Sequence, residues 1–298
     1  MKFLLINGKT IWKRFLTVLG SAFSALSVIL SFRTWDEIGI KTFTAKVIIF
    51  FLIFLISVLV SILWIRFQTE HQVWKNGCGE ISVCYNDLMK ISFSDKISSY
   101  RNIVIPVNTA FDTLVDADIT VTHPLVSPNS LHGIWIQQFL EHSKWSRETL
   151  DSEIKKALKD ITPSYYTKKS RGNNAVYEIG TVVPISYKTG LTFFLIAVAN
   201  YDSTNVAHST KQDIVHCAEQ LVKYCDAHGN GYDVYIPLFG TRLSRANLTY
   251  QKALKIIQNI FELNEEFIHC KMKIVIYEKD RSNISLFESV SYTHLRAH

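Results

Sequence analysis

The chain has 298 residues, 48% of them hydrophobic, and a formal net charge of +6 at pH 7. Part of the basic excess lies at the N-terminus, and no basic patch is interleaved with aromatic residues, so we expect no nucleic-acid partner. A disulfide framework is also excluded, because an odd number of cysteines without close paired spacing indicates thiols that stay reduced. These are Cys78, Cys84, Cys217, Cys225 and Cys270.

Two apolar segments near the N-terminus are each long enough to cross a bilayer. Residues 15–32 and 47–65 contain no charged side chain. On an insertion scale the second segment contributes roughly −6 to −10 kcal/mol, which is more than an incidental soluble helix would show. For the first segment the alternative is a cleaved signal peptide, but Ser31-Phe32-Arg33-Thr34 lacks a small-residue cleavage pattern and a second span follows.

The basic residues before the first span predict its orientation. Lys2, Lys9, Lys13 and Arg14 precede it, and such residues stay on the cytoplasmic side. Two spans place both termini on the same side. We therefore expect a multi-pass protein of the cell inner membrane, in contact with membrane lipid, with its N-terminus and its soluble remainder in the cytoplasm.

A stripe of small residues follows one face of the first span, formed by Gly20, Ser24, Ser27 and Ser31. Stripes of this kind let helices approach closely. Two interpretations stay open, an interface between copies of the chain in the homo-oligomer that we expect, or packing against the second span of the same chain. Neither span contains Asp, Glu, Lys or Arg, which argues against an ion pathway lined by charge.

After Arg66 the composition becomes a mixture of polar and apolar residues, which places a domain boundary between about residues 66 and 80. We predict a membrane domain over residues 1–70, a cytosolic domain over 71–280 and a tail of uncertain structure over 281–298.

Strands and helices alternate within the cytosolic domain, which predicts an α/β sandwich with a largely buried central sheet. The run Phe193–Ala199 is apolar throughout, as in a central strand covered on both faces, and it is too short to span a bilayer. Residues 166–174 are predicted as a surface loop. The predicted strands cover residues 103–107, 119–122, 176–185, 191–200, 233–238 and 272–278, and the predicted helices cover 133–141, 146–159, 210–227 and 244–262.

The segment Asn86-Asp87-Leu88 precedes a short apolar run. In a partly enclosed site the carboxylate of Asp87 would be a suitable acceptor for an adenine amino group. The alternative is that Asp87 is a turn residue.

The segment Asn102–Asp112 is a buried strand that continues into a polar run, and open α/β sheets bind ligands at such strand ends. Asn108 could donate to and accept from a ribose hydroxyl, and the residues from Thr109 to Thr113, including Ala110 and Phe111, could form a loop over phosphate. The alternative is an Asx turn that closes the strand.

The segment Tyr235–Arg245 is a strand that enters a helix through a Gly-Thr turn. Unpaired backbone N–H groups at such a helix start bind phosphate, and Gly240 lets the backbone approach closely. Arg242 and Arg245 could add charge-assisted hydrogen bonds. The alternative is a glycine that serves turn geometry only. The predicted ligand-binding residues here are Leu238, Phe239, Gly240, Thr241, Arg242 and Leu243.

Two further clusters carry weaker signals. His216 and Cys217 with Cys225 and His228 match no structural zinc spacing, so we expect no metal, and we expect no cofactor. The polar loop Ser127–Gly133 precedes a helix and either contacts ligand or is a plain surface loop.

The motifs at Asp87, Asn108 and Gly240 together resemble a macro domain. Asp87 stands before the first strands, Asn108 ends an Ile-Val-Ile-Pro strand, and Ile-Pro-Leu-Phe-Gly-Thr precedes a helix. The resemblance covers roughly residues 72–280. It implies a three-layer α/β/α domain with a mixed central sheet that binds an ADP-ribose-type nucleotide.

With the two spans added, the whole chain resembles the transmembrane macro-domain effector of type II Thoeris antiphage defence. In that family a TIR-domain enzyme makes histidine-conjugated ADP-ribose, the macro-like domain senses it, and the membrane part acts on the inner membrane so that the infected cell dies or stops growing.

The resemblance has one departure that bears on catalysis. Macro domains generally carry Ala-Ala-Asn and a glycine run at the end of this strand, whereas this chain has Pro-Val-Asn followed by Thr-Ala-Phe-Asp-Thr. Because that glycine loop helps to place substrate and water, and no nucleophile and base replace it, we expect no enzymatic activity. The alternatives are a membrane-tethered hydrolase of ADP-ribose conjugates and a non-enzymatic membrane scaffold.

Overall fold

The computed structural model describes residues 2–94, 100–116, 124–169, 171–201, 207–241 and 248–287. The chain divides into two compact units, one formed by residues 2–69 together with Arg281–Phe287 and the other by Glu70–Asp280. The first residues of the predicted tail thus belong to the same unit as the predicted spans. Residues 288–298 lie outside the described part of the chain.

The first unit contains two long helices, α1 (Lys2–Phe32) and α2 (Phe43–Phe67). By length and composition both could cross a membrane, which is compatible with the two predicted spans. The helix α1 begins well before the predicted span, because the basic N-terminal residues contain no proline to interrupt it. Thr42 caps α2, and its side-chain oxygen accepts a hydrogen bond from the backbone N–H of Ala45 at 3.3 Å.

Aromatic side chains connect the two helices. Phe15 meets Phe54 edge to face with ring centroids 5.2 Å apart, and the rings of Phe23 and Phe50 lie 5.5 Å apart. Such pairs add to the apolar packing between the helices.

The small-residue stripe lies on another face of α1. Its four members are all exposed in the chain, namely Gly20, Ser24, Ser27 and Ser31. Packing against α2 within one chain therefore does not account for the stripe. Its use between copies of the chain stays a prediction.

The second unit combines strands and helices in the following chain order. The strands are β1 (Glu70–Asn76), β2 (Gly79–Asn86), β3 (Arg101–Asn108), β4 (Tyr165–Tyr166), β5 (Ala175–Val176), β6 (Val182–Lys188), β7 (Leu191–Tyr201), β8 (Ala207–His208), β9 (Asp233–Pro237) and β10 (Lys271–Tyr277). The helices are α3 (Leu88–Phe93), α4 (Leu131–Ser143), α5 (Arg147–Ala157), α6 (Lys211–His228) and α7 (Tyr250–Leu263).

The main sheet has the strand order β1-β2-β10-β9-β3-β7-β6, and β8 pairs with β7. The neighbours from β2 to β7 run parallel, whereas β1, β6 and β8 are antiparallel to their partners. The predicted α/β sandwich with a mixed central sheet is thus confirmed. The carboxyl ends of β2, β10, β9, β3 and β7 consequently meet at one edge of the sheet.

Helices cover both faces of the sheet, as β7 shows most clearly. Phe193 packs against Trp135 of α4, with ring centroids 5.5 Å apart. The next residue, Phe194, meets Tyr224 of α6 at 5.1 Å. Because successive side chains of a strand point to opposite faces, the two helices lie on opposite sides of β7. Both phenylalanines are buried, which confirms the prediction of a central strand.

Several sequence predictions need correction. The predicted strand over 176–185 is two strands, β5 and β6, because Gly180 has a φ of +88° and turns the chain between them. Asp87 does not precede the first strands, since β1 and β2 come before it. The surface loop predicted over 166–174 is confirmed for the described residues, where β4 and β5 close it as a hairpin loop and Tyr166 alone belongs to a strand. The predicted strand over 119–122 and residues 244–247 of a predicted helix lie outside the described residues.

Candidate functional site

Three of the predicted site segments follow strands whose carboxyl ends meet at one edge of the sheet. Asp87 follows β2, the segment Leu238–Thr241 follows β9, and Asn108–Phe111 ends β3 and begins its turn. Ligands of open α/β sheets bind at this kind of edge. The topology therefore brings together segments that are far apart in sequence. Arg242 and Leu243 lie outside the described residues, and ligand contacts of all these residues stay predictions.

Asp87 is the N-cap of α3. Its Oδ1 accepts hydrogen bonds from the backbone N–H groups of Met89 at 3.0 Å and Lys90 at 3.4 Å. Aspartate is a preferred residue at this position because it satisfies N–H groups that the helix leaves unpaired. Within the described residues its Oδ2 has no hydrogen-bond partner, so the half-buried carboxylate combines the capping role with a remaining acceptor.

The side chain of Asn108 closes the turn after β3. Its Nδ2 donates to Asp112 Oδ2 at 3.0 Å, and its Oδ1 accepts from the Asp112 backbone N–H at 3.0 Å. Asn108 is only 3% exposed, and the side chain of Tyr201 at the end of β7 lies close enough to interact with it. This geometry matches the Asx-turn alternative. The proposed contact of Asn108 with a ribose stays a prediction.

Phe111 has a left-handed backbone conformation, with a φ of +52°. This region costs a bulky residue roughly 1–2 kcal/mol, so the surrounding structure must hold it. Phe111 donates its N–H to the carbonyl of Asn108 at 3.0 Å, and its buried ring meets Tyr177 edge to face at 5.8 Å. The turn after β3 is therefore held in one conformation by core packing.

Gly240 allows the chain to turn after β9. Its φ is +87°, and a Cβ atom added here would lie 2.9 Å from both Cδ1 and Cγ1 of Ile214 on α6. Conformation and space both require glycine at this position.

Unpaired backbone donors accompany both turns. Among the described residues, the N–H groups of Ala110, Phe239 and Gly240 have no hydrogen-bond partner, although all three residues are buried. Buried N–H groups are almost always paired, so unpaired ones mark a place where a ligand or water accepts. Backbone donors grouped in this way suit an anion such as a phosphate.

Comparison with known proteins identifies the family. The family model described as "Thoeris protein ThsA, Macro domain" matches residues 81–277, which is more than half of the chain. The chain belongs to the Thoeris ThsA macro domain family. The macro-domain resemblance found in the sequence is thereby confirmed, and membership associates the chain with antiphage defence and with ligands of the ADP-ribose type.

Individual relatives are distant from this member of the Thoeris ThsA macro domain family. The "Thoeris protein ThsA" of Bacillus amyloliquefaciens (strain Y2) is 22% identical over 291 residues, covering 95% of this chain and 90% of that protein. Among solved structures, the Oceanobacillus iheyensis macrodomain with MES bound has a TM-score of 0.46 at 11% identity, covering 72% of this chain and 92% of that one. The O. iheyensis macrodomain with ADP has a TM-score of 0.40 at 10% identity, covering 72% and 90%.

A hairpin clamps the first turn of this Thoeris macro domain. Between β4 and β5, the Asn173 side chain donates to the carbonyls of Ala110 at 3.0 Å and Phe111 at 3.2 Å, and its backbone N–H donates to Asp112 Oδ1 at 2.6 Å. Lys169 lies 3.8 Å from Asp112 Oδ2. Sequence analysis missed this contribution, because no spacing signal connects residues about sixty positions apart.

The carboxyl of Asp112 lies at the centre of this clamp and is fully buried. Burial raises its pKa above the ordinary value, while the Asn173 N–H, the Lys169 ammonium and the Asn108 amide act in the opposite direction. A second ion pair, Arg171 with the buried Asp116, joins the same hairpin to the loop after β3.

Replacing Asn173 by alanine is expected to weaken binding of ADP-ribose by about tenfold, or about 1.4 kcal/mol. The reason is that the turn Ala110–Phe111 loses the two side-chain hydrogen bonds that hold its carbonyls. Titration calorimetry on the full chain in detergent measures the change. Asn76→Ala, an exposed asparagine at the end of β1, serves as the control, and a change below about twofold in Asn173→Ala would contradict the clamp.

A cavity of about 340 Å³ adjoins this turn. It shares Ala110 with the predicted site and is otherwise formed by α5 and the hairpin. Its lining residues are Ala110, Ile154, Lys155, Leu158, Gly172, Asn173, Asn174, Ala175 and Tyr177.

The loop Ser127–Gly133 forms the start of α4. Ser130 caps the helix by accepting the Gly133 N–H at 3.0 Å, and its hydroxyl donates to the Ser127 carbonyl at 2.7 Å. His132 is buried in the first turn of this helix, and burial lowers its pKa to about 3. A ligand contact of this loop stays a prediction.

The domain is expected to lose about 2 kcal/mol of stability through His132 between pH 7 and pH 5. The folded-state pKa of His132 lies below the ordinary value of 6.5, so the unfolded chain binds the proton more tightly and stability falls as the pH drops below 6.5. Urea unfolding at both pH values measures this effect. His132→Gln should remove that part of the pH dependence, whereas the exposed His269→Gln should keep it; equal slopes in His132→Gln and the natural chain would contradict the assignment.

His216, Cys217, Cys225 and His228 do not form a metal site in the part of the chain that the structure describes, where no group of three or more His, Cys, Asp or Glu side chains could hold an ion. Cys217 and Cys225 are buried within α6. Burial raises the pKa of Cys217 to about 12, which keeps this thiol protonated and a poor metal ligand.

Proposed function

We propose that this chain is an antiphage defence effector whose macro domain binds an ADP-ribose-derived nucleotide and whose two apolar helices act on the membrane. Histidine-conjugated ADP-ribose from a TIR-domain enzyme is the proposed signal, and death or growth arrest of the infected cell is the proposed outcome. A homo-oligomer in the inner membrane is the proposed acting form.

The observation that carries the nucleotide proposal is the pairing of two turns with unpaired donors at one sheet edge. The backbone N–H groups of three buried residues, Ala110 after β3 and Phe239 and Gly240 after β9, lack partners among the described residues. The strands β3 and β9 are direct neighbours, so a diphosphate can accept from both turns. Asp87 lies along the same edge, after β2, with a carboxylate oxygen that can accept from an adenine amino group.

The exposed stripe on α1 supports the oligomer, because close helix approach in a membrane requires small residues and these do not face α2. The length and apolar character of α1 and α2 support a role in the membrane.

A binder is favoured over a hydrolase by the state of the acidic residues near the turn. Asp112 is a buried carboxyl within this turn, and hydrogen bonds from Asn108 and Asn173 together with Lys169 already occupy it. A general base must be able to reach a water beside the substrate, and Asp112 is held away from that role.

Calorimetric titration of the full chain in detergent with ADP-ribose and with its histidine conjugate tests the proposal. Tight binding of either compound, with the ligand recovered intact by mass spectrometry, is the expected result. Breakdown of the ligand would instead establish the hydrolase. Absence of binding by both compounds would overturn the nucleotide proposal and leave the scaffold.

Action on the membrane is tested separately with the chain reconstituted in dye-filled vesicles of phosphatidylethanolamine and phosphatidylglycerol. We expect release of dye when the bound nucleotide is added. Binding of the nucleotide without release of dye would contradict permeabilisation of the membrane. It would leave reorganisation of the membrane as the action of the protein.

A further inference from the structure

The segment Arg281–Phe287 connects the macro domain to the two apolar helices a second time. The strand β10 ends at Tyr277, on the sheet edge that carries the candidate site, and the 3-10 turn Glu278–Asp280 leads directly into this segment. The segment belongs to the unit of α1 and α2. We call Arg281–Phe287 the C-terminal clasp.

The clasp is attached to the beginning of α1 by a buried polar contact. The hydroxyl of Ser285 donates to Asn7 Oδ1 at 2.7 Å, and each of these residues is 1% exposed. Ile284 and Leu286 on either side are fully buried. A buried hydrogen bond flanked by buried aliphatic residues defines one docking position, because sliding the segment would leave polar groups unpaired.

The clasp is attached to the end of α2 by a charged side chain, that of Arg281. The Arg281 guanidinium donates to the carbonyls of Arg66 and of Gln68, the latter at 2.9 Å. The last carbonyls of a helix have no partner within the helix and carry partial negative charge, so a guanidinium at this place is favourable. One segment therefore contacts the beginning of α1 and the end of α2.

We propose that the C-terminal clasp couples the ligand edge of the macro domain to the two apolar helices. The inference rests on the proposed function. If the chain joined the two units only at Thr69–Glu70, backbone rotation at that junction could absorb a movement of the macro domain. A second connection, from β10 through the clasp to both helix ends, removes that freedom, so a ligand that favours one arrangement of the edge also favours one arrangement of the helices.

Replacing Ile284 by aspartate tests the coupling, with Ser282→Asp as the matched control. Both variants add one negative charge to the clasp, but Ile284 is fully buried and Ser282 is exposed. In vesicles, Ile284→Asp should bind ADP-ribose or its histidine conjugate within about twofold of the natural chain, while the dependence of dye release on ligand falls by about tenfold or more. Ser282→Asp should keep both. Unchanged ligand-dependent release in Ile284→Asp would overturn the proposal.

Hydrogen exchange measured without ligand tests the clasp independently of nucleotide binding. It therefore distinguishes a wrong coupling proposal from a wrong proposed function. Ile284→Asp should accelerate exchange in the first turns of α1 and the last turn of α2, whereas Ser282→Asp should not. Equal exchange in the two variants would overturn the clasp even if the natural chain neither binds nucleotide nor releases dye.

Two milder substitutions test the clasp if Ile284→Asp fails to fold. Asn7→Ala and Ser285→Ala each remove one partner of the buried hydrogen bond, so their effects on exchange at α1 should be non-additive in the double variant. Additive effects would show that the two residues act independently and would contradict the clasp.

Discussion

Replacing Gly240 by valine is expected to weaken binding of ADP-ribose by about 100-fold or more, or about 2.7 kcal/mol. Its φ of +87° disfavours every residue with a Cβ, and a β-branched one most strongly. The added Cβ would also lie 2.9 Å from two atoms of Ile214, so the turn must move away from α6. The unpaired N–H groups of Phe239 and Gly240 would then lose their position at the sheet edge.

Gly231→Val is the matched control for this variant. Gly231 also has a positive φ, of +69°, but no atom lies within 4 Å of an added Cβ, and the residue precedes β9 at the opposite end of the strand. Both variants should lose stability in thermal unfolding, but only Gly240→Val should lose affinity in titration calorimetry. Binding by Gly240→Val within about threefold of the natural chain would show that the turn after β9 does not hold the nucleotide.

Replacing Arg101 by methionine is expected to lower the free energy of unfolding of the macro domain by about 3 kcal/mol. Arg101 is 2% exposed, and its guanidinium donates to the carbonyls of Ile91 at 3.1 Å, Ser92 at 3.4 Å and Ser94 at 3.3 Å. These carbonyls end α3, which is too short to be stable by itself. Methionine fills a similar volume but leaves buried acceptors without donors.

The same variant connects stability with the candidate site, because Asp87 caps the start of α3. Loss of the Arg101 hydrogen bonds should loosen the capped turn and so displace the predicted adenine acceptor. Urea unfolding of the full chain in detergent, followed by tryptophan fluorescence, measures the loss. Arg147→Met removes an exposed arginine paired only with its neighbour Glu148 and should cost less than about 0.5 kcal/mol. Equal losses in the two variants would contradict the capping role.

The sequence was informative where a local pattern determines the structure. An uncharged apolar run of about twenty residues is long enough to cross a bilayer as a helix that satisfies its own backbone, and the described α1 and α2 contain both predicted runs. The order of strands and helices predicted the α/β class, and the turn around Gly240 was recognised from glycine between a strand and polar residues. The strand β2 was not predicted, although Ile81, Val83 and Tyr85 alternate in it with Glu80, Ser82 and Cys84.

Asn108 in the candidate site shows which properties of a residue the sequence predicts and which require the tertiary structure. The sequence indicated that Asn108 either binds ligand or closes an Asx turn, and both interpretations use the same side-chain atoms. Only the structure shows that both atoms of the Asn108 amide are hydrogen-bonded to Asp112, with Nδ2 donating to the carboxylate and Oδ1 accepting from the backbone N–H. The donors left unpaired are instead backbone N–H groups, which every residue except proline possesses and which therefore leave no mark on the sequence.

By itself, the sequence determined two apolar helices, an α/β domain and the family to which that domain belongs, because hydrophobic periodicity and short motifs depend on neighbouring residues. Only the tertiary structure decided that Asn173 holds the turn after β3, that the stripe on α1 faces away from α2, and that Arg281–Phe287 joins the helices. These contacts connect positions up to 278 residues apart, and each partner is an ordinary polar or aliphatic residue. Their meaning arises from burial and geometry, which exist only after the chain has folded.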